Sequence, residues 1–175
     1  MKAIIFSSLS IVFLLVSCAT VNVKSDYDTK AIFSEYKSYG FYKTGVDKVE
    51  INDLDKKRIL RAIDANLSSK GLAKSNTPDL LINFTTKVEK SVQVNQNYGF
   101  GWGWWNPFWY GNNFVNTYET IEGILVIDLI DAKKNELVWQ GIGKAPLVDG
   151  PQAKTERINE IVTAIVAKYP PEISK

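Results

Sequence analysis

An apolar hairpin in the C-terminal half of the chain restricts the fold more than any other feature of the sequence. Residues 124–130 read ILVIDLI, and a nearly continuous apolar run is typical of a central strand covered on both faces. The polar residues 131–136 predict a turn, in which Asn135 can adopt the left-handed conformation. Residues 137–142 read LVWQGI and predict the antiparallel return strand. The chain must therefore build a sheet around this hairpin.

Alternating patterns predict three more strands before the hairpin. Val21 and Val23 alternate with polar residues up to position 28, and residues 39–42 form a second, short strand. From residue 82 to residue 94, apolar side chains occupy one face with few exceptions, one of which is Thr86. One face of this long strand should be buried and the other should face water.

Two amphipathic helices are predicted, at about 53–70 and about 152–168. Asp53 is expected to cap the first helix and Gly71 to end it, and the prolines at 170–171 stop the second. Both helices carry an apolar stripe at helical spacing. The stripe residues are Ile59, Leu60, Ala62, Ile63 and Leu67 in the first helix, and Ile158, Ile161, Val162, Ile165 and Tyr169 in or just after the second.

The order of these elements is two strands, a helix, three strands and a helix. It predicts an α+β fold: a two-layer domain with a mostly antiparallel sheet of about five strands and two helices on one face. The chain has 175 residues, of which 45% are hydrophobic and 23% charged. That composition suits one globular domain with a sizeable core, which we assign to residues 25–175.

The N-terminus has the features of an export signal. Lys2 precedes the apolar run 3–14, which is too short to span a bilayer but has the length of a signal-peptide core. Leu15-Val16-Ser17-Cys18 follows and resembles the bacterial lipobox. The resemblance implies a diacylglyceryl thioether on Cys18, cleavage before it and acylation of the new amino group. Residues 1–17 are then a signal peptide, and 18–24 comprise the lipidated cysteine and a short tether to the bilayer.

Ala19 bears on where the anchored protein resides. An Asp at this position would resemble the inner-membrane retention signal of many Gram-negative bacteria, but the chain has Ala. We therefore expect attachment to the outer membrane, facing the periplasm, with the inner membrane or the cell surface as alternatives. The short tether predicts that the domain lies close to the lipid surface.

An unusual segment rich in glycine and aromatic residues occupies positions 98–114, between two predicted strands. Three roles remain open: contact with the membrane interface, binding of an envelope protein or a cell-wall glycan, or cover for the domain's own sheet. Its glycines lack the Lys and helix start of a phosphate-binding loop. The candidate binding residues are Trp102, Trp104, Trp105, Phe108, Trp109 and Tyr110.

Side chains suited to catalysis are scarce. The chain has no histidine and a single cysteine, which excludes Ser-His and Cys-His catalysis and the common zinc sites. A carboxylate-based hydrolase of cell-wall glycan remains the alternative, with Glu119, Glu122 and Asp128 as its candidate residues. Asp128 is instead expected to mark a less covered face of its strand, or to pair with a Lys, Arg or Tyr.

Other ligand classes find no support in the sequence. Without Lys2, the mature chain has 20 basic and 19 acidic side chains, so we expect no nucleic-acid partner. The acidic pairs Asp26/Asp28 and Asp53/Asp55 lack the dense ligand set of a calcium loop. No metal, cofactor or catalytic residue is predicted.

The hairpin also resembles a known family. The segment 123–141, GILVIDLIDAKKNELVWQG, together with Asp26-Tyr27-Asp28 and the motifs in 61–71, is similar to a bacterial lipoprotein family catalogued as domain of unknown function four-one-three-six. Asn135 departs from the glycine that is usual in the turn. The resemblance implies the α+β fold and a cell-envelope location, and it brings no activity. We expect a non-enzymatic, membrane-anchored lipoprotein that acts as an interaction or structural module.

Overall fold

Six strands form one sheet in the computed structural model, which describes residues 21–95 and 116–171, with side chains for 21–90 and 121–171. The order across the sheet is β1-β6-β5-β4-β2-β3. The predicted hairpin is therefore its centre. The strands are β1 (Asn22–Tyr27), β2 (Ser38–Phe41), β3 (Ala73–Lys74), β4 (Leu80–Asn95), β5 (Asn116–Asp131) and β6 (Glu136–Pro146).

Three α-helices accompany the sheet in the described residues: α1 (Lys43–Asp47), α2 (Asp53–Ser69) and α3 (Pro151–Ala167). The two long helices match the predicted ones within two residues at each end. The one-turn α1 was not predicted, because five residues hold too little periodicity to show a helical pattern. A 3-10 turn at Phe33–Glu35 precedes β2.

The α+β class is confirmed, and the predicted sheet is close to the observed one but differs in detail. The sheet has six strands, since β3 pairs with β2 over only two residues. It is also mixed, because β2 runs parallel to both β3 and β4. The chain passes from β2 to β4 through α2, and a crossover of this length returns a strand parallel to the first. The alternation of apolar and polar residues within one strand does not show which strand it pairs with, or in which direction.

The core lies between one face of the sheet and the helices α2 and α3. On the described part of β5 the buried apolar residues are the alternate Leu125, Ile127 and Leu129, while Val126 on the opposite face is half-buried. The prediction that this strand is covered on both faces was therefore wrong, because the two long helices share one face. All the buried apolar residues among those described lie between Ala31 and Tyr169, so a chain beginning at Ala19 keeps this core.

Two glycines of β6 allow α3 to approach the sheet closely. A Cβ atom on Gly143 would lie 2.8 Å from Ile165 Cδ1 and 2.9 Å from Ile161 Cγ2. At Gly141 a Cβ atom would overlap the Ile165 side chain and the Trp139 ring. The glycines thus create the groove that receives the apolar side of α3.

The ends of α2 confirm one predicted signal and correct another. Asn52 caps the helix, because its side-chain oxygen accepts a 2.8 Å hydrogen bond from the backbone N–H of Leu54. The predicted cap, Asp53, is the first helical residue and contributes negative charge to the first turn. Gly71 follows the helix with φ of +87°, as a helix-ending glycine should.

Candidate functional site

The β4–β5 hairpin extends beyond the rest of the sheet as a two-stranded arm. β6 pairs with β5 only as far as Glu122, and β2 pairs with β4 only over Leu80–Ile82. Residues 90–95 and 116–121 pair only with each other within the described sheet. We call these two segments the arm. Its strands lead into and out of the aromatic segment 98–114.

The start of β1 lies at the same end of the sheet as the arm. Asn22 is opposite Lys144, which is opposite Ile124, which in turn is opposite Lys87. Followed back towards its start, β1 runs in the direction in which β4 continues into the arm. β1 therefore begins at the end of the sheet from which the arm extends, which we call the arm end.

A cavity of about 360 Å³ opens at the arm end, on the face that carries the helices. We call it the arm-end pocket. Small residues of three neighbouring strands form its floor, namely Thr86, Gly123 and Ala145. Apolar side chains of the linkers and helices form its walls: Ile51, Ile59, Leu147, Val148, Ile158 and Ile161.

Charged residues line the rim of the arm-end pocket. Asp55 accepts from Arg58 at 2.6 Å and lies 3.5 Å from the Lys154 ammonium, so it joins α2 to α3. Arg157 Nη1 pairs with Glu160 at 2.9 Å. The Nε–H of the same guanidinium is buried and has no acceptor among the described residues.

Another ion pair lies at the arm end, on the opposite face of the sheet. Lys144 Nζ donates to Glu89 at 2.7 Å. This hydrogen bond lowers the pKa of Glu89 and raises the pKa of Lys144. The rival catalytic residue Glu122 is half-buried, stands opposite Glu89 in the register and adds negative potential near Lys144. The side chain of Glu119 lies outside the described residues.

Asp128 marks the less covered face of β5, which is one of the two structural roles predicted for it. Its carboxylate accepts a 2.7 Å hydrogen bond from Gln140 Nε2 and a longer one, at 3.4 Å, from Asn83 Nδ2. Both of these partners are amide side chains. The predicted alternative, pairing with a Lys, Arg or Tyr, is therefore not seen among the described residues. This arrangement satisfies a half-buried carboxylate.

The principal predicted site residues lie outside the described residues. They are Cys18 and the aromatic side chains Trp102, Trp104, Trp105, Phe108, Trp109 and Tyr110. The arm-end pocket was missed by sequence reasoning. Its one signal was Thr86, a small polar residue on the mostly apolar face of β4; Gly123 and Ala145 become its neighbours only through strand pairing.

The predicted acidic pairs are explained by local contacts. Asp26 accepts from the N–H of Tyr27 at 2.9 Å, and Asp28 accepts from the N–H of Lys30 at 2.8 Å. The described segments contain no group of three His, Cys, Asp or Glu side chains placed to hold a metal ion. Each helix of these segments is too short or too polar to serve as a membrane span.

A family model described as "Domain of unknown function (DUF4136)" matches residues 23–171. The match spans every element from β1 to α3. The chain belongs to this family. The DUF4136 match begins in β1, which starts at Asn22. The first residues of β1 therefore fall within 18–24, the range that the sequence analysis assigned to the lipidated cysteine and the tether. No curated protein matches the chain.

Solved structures share the fold at low sequence identity. A PDZ domain protein from Parabacteroides distasonis is 19% identical with a TM-score of 0.51; the match covers 89% of this chain and 37% of that one. The chain thus spans little more than a third of that protein, and the likeness concerns the fold alone.

Two further structures are similar at lower scores. PelC from Paraburkholderia phytofirmans, solved as a dodecamer, is 8% identical with a TM-score of 0.45, over 85% of this chain and 96% of that one. A putative neuraminyllactose-binding hemagglutinin homologue from Helicobacter pylori is 16% identical with a TM-score of 0.40, over 86% and 90%.

Proposed function

We propose that this DUF4136 protein is a membrane-anchored envelope lipoprotein that acts by interaction, and that its anchor holds the arm end of the sheet against the bilayer. The observation that carries the proposal is the strand register. It puts the start of β1 and the arm at the same end of the sheet. A lipid on Cys18 therefore brings the arm to the membrane surface.

The reach of the tether supports this orientation. Asn22 lies four residues after Cys18, and four extended residues span at most about 14 Å. Lys87 lies in the same cross-strand row as Asn22. From Lys87, β4 continues for eight residues to Asn95, which is about 27 Å of strand. The arm is thus longer than the tether. When the strands stand upright on the bilayer, the tip of the arm reaches the headgroup region, where Trp and Tyr are favoured.

Exposed apolar side chains at the base of the arm point to the same contact. Val88 is 61% exposed, Leu147 53% and Ile121 46%. They lie close together, since Val88 is opposite Gly123 on β5 and the Leu147 side chain lies over that glycine. Apolar residues grouped in this way mark an interaction surface more often than scattered ones do.

Lipid anchoring is tested by expressing the full chain, with its leader, in a Gram-negative host. We expect the protein in the membrane fraction, and an N-terminal peptide that starts at Cys18 and carries acyl groups, by mass spectrometry. Cys18→Ala removes the thiol that the diacylglyceryl group requires, and Ser17→Ala is the matched control. Acylated material from Cys18→Ala, or an unmodified Cys18 in the parent chain, would show that the anchor does not exist.

The interaction is tested by tryptophan fluorescence of the chain beginning at Ala19. Four tryptophans of the aromatic segment are changed to Ser in a control variant; the fifth, Trp139, is buried and provides a constant background. A blue shift with anionic liposomes, absent in the control, is the expected result. A shift only with peptidoglycan fragments would replace the membrane by a glycan target. No shift with either would contradict both.

The rival function is a carboxylate-based hydrolase of cell-wall glycan. It requires turnover of peptidoglycan fragments that Glu119→Gln with Glu122→Gln abolishes while binding persists. We expect no turnover from the parent chain, because Asp128 is engaged by two amide side chains and Glu122 lies beside an ion pair on the sheet surface. Released reducing ends that disappear in the double variant would overturn the non-enzymatic proposal.

A further inference from the structure

The arm-end pocket exists because the sheet beneath it has small side chains. Farther from the arm, the same face carries Phe84, Leu129 and Trp139, which fill the space under the helices. At the arm end the corresponding positions hold Thr86, Gly123 and Ala145. The smaller side-chain volume at these positions leaves a cavity between the sheet and the helices. Its size, about 360 Å³, falls in the range of small-molecule sites, roughly 300–1,000 Å³.

The walls of this pocket suit a hydrocarbon chain. Isoleucines of α2 and α3, with Leu125 and Leu147, give it an apolar lining, and the exposed Val88 and Leu147 extend that lining to the surface. The pocket is open on the side of the arm end. An elongated apolar ligand can therefore enter with one end outside.

Two cationic side chains, Lys154 and Arg157, stand at the rim of the apolar interior, together with Asp55 and Asp149. Asp55 is shared between Arg58 and Lys154, and Glu160 contacts Nη1 of the Arg157 guanidinium. The buried Nε–H of Arg157 has no acceptor among residues 21–95 and 116–171, although a buried donor normally has one. A carboxylate is the acceptor that a guanidinium binds best, through two parallel hydrogen bonds.

We propose that the arm-end pocket binds a single-chain fatty carboxylate, with its hydrocarbon chain between the helices and the sheet and its carboxylate at Arg157 and Lys154. The bilayer is the source of such chains at this end of the molecule, and in that respect the proposal rests on the proposed function. Binding itself requires only the described residues, so it is measurable without the anchor or a membrane.

The first experiment measures dodecanoate binding by the chain beginning at Ala19, below the concentration at which dodecanoate forms micelles, with displacement of a fluorescent fatty acid as the readout. Thr86 and Thr85 are neighbours on β4 that face opposite sides of the sheet, and only Thr86 lines the pocket. We expect Thr86→Phe to fill the floor and weaken binding at least ten-fold, which corresponds to about 1.4 kcal/mol. Thr85→Phe adds the same ring on the other face and should leave binding unchanged.

The second experiment tests the headgroup. Dodecanol has the same chain without the charge, so it should bind about ten-fold more weakly than dodecanoate to the parent chain. Arg157→Met should remove most of that difference. Arg61→Met removes an equal charge from an exposed position of α2 outside the pocket. It should preserve the difference in affinity between dodecanoate and dodecanol. This second experiment stays informative if Thr86→Phe does not fold.

The outcomes separate this proposal from the function it extends. Absence of saturable binding, or equal binding by Thr86→Phe and Thr85→Phe when both are folded, would overturn the pocket assignment. Equal affinity for dodecanoate and dodecanol would overturn the role of Arg157 and Lys154. If the chain binds dodecanoate but shows no fluorescence shift with liposomes, the membrane orientation is refuted and the assignment of the pocket is unaffected.

Discussion

At the scale of single residues, polar side chains in the described structure mainly organise turns and helix ends. Asn52 rather than Asp53 caps α2, although both residue types are good caps. Asp79 accepts hydrogen bonds from the Ser38 hydroxyl at 2.8 Å and from two backbone N–H groups at the start of β2. These bonds hold the pKa of Asp79 below its usual value. Single carboxylates thus connect segments that the sequence places far apart.

Asp131 supplies a pH-dependent contribution to stability. Its buried carboxylate accepts from the N–H groups of Lys133 and Lys134 at 2.9 and 3.0 Å and from the Tyr36 hydroxyl at 3.0 Å. Burial acts to raise its pKa, but the hydrogen bonds outweigh burial, so the pKa lies below the ordinary 3.8. A lowered folded-state pKa stabilises the fold above the unfolded-state pKa, and this stabilisation is lost as pH falls through the folded value.

We therefore expect Asp131→Asn to lower the free energy of unfolding at pH 7 by about 1–3 kcal/mol, because it weakens hydrogen bonds to a charged acceptor. It should also flatten the decline in stability below about pH 4. Urea unfolding at a series of pH values measures both effects. Glu136→Gln, at an exposed position of the same turn, is the control. An unchanged acid profile for Asp131→Asn would contradict this account.

At the scale of elements, the packing of α3 on β6 depends on missing side chains. Gly143→Ala would place a methyl group within 3 Å of Ile165 and Ile161, and overpacking a core in this way costs about 1–3 kcal/mol. Ile165→Val, which removes the Cδ1 atom nearest to that methyl group, should recover part of the loss. A double-mutant cycle of urea unfolding measures the coupling. Additive effects of the two substitutions would show that α3 does not lie against Gly143.

At the scale of the whole molecule, the arm extends beyond the strands that carry the described core. Residues 90–95 and 116–121 pair only with each other in the described sheet, whereas the core strands pair farther along β4 and β5. Replacing residues 91–120 by an Asn-Gly turn should therefore leave the far-ultraviolet circular dichroism of the core and the free energy of unfolding nearly unchanged, within about 1 kcal/mol. Loss of cooperative unfolding would mean that the replaced segment stabilises the core. The shortened chain should still bind dodecanoate.

The elements themselves could be predicted from sequence because their signals are local. The period of apolar residues indicated β5, β6, α2 and α3, and Asn135 adopts the left-handed conformation, with φ of 56°, that its turn position indicated. The signal peptide and the lipidation of Cys18 were also inferred from local sequence, and both stay predictions. Short elements such as β3 and α1 were missed, because their few residues hold too little pattern to rise above chance.

What only the tertiary structure decided is which residues meet. Sequence alone determined the α+β class, the central hairpin and the family, because each depends on residues close together along the chain. Strand order and register belong to the folded sheet: they place Asn22 and the arm at one end, and they assemble Thr86, Gly123 and Ala145 into one floor. These pairings depend on contacts between distant segments, whose energies local periodicity does not record.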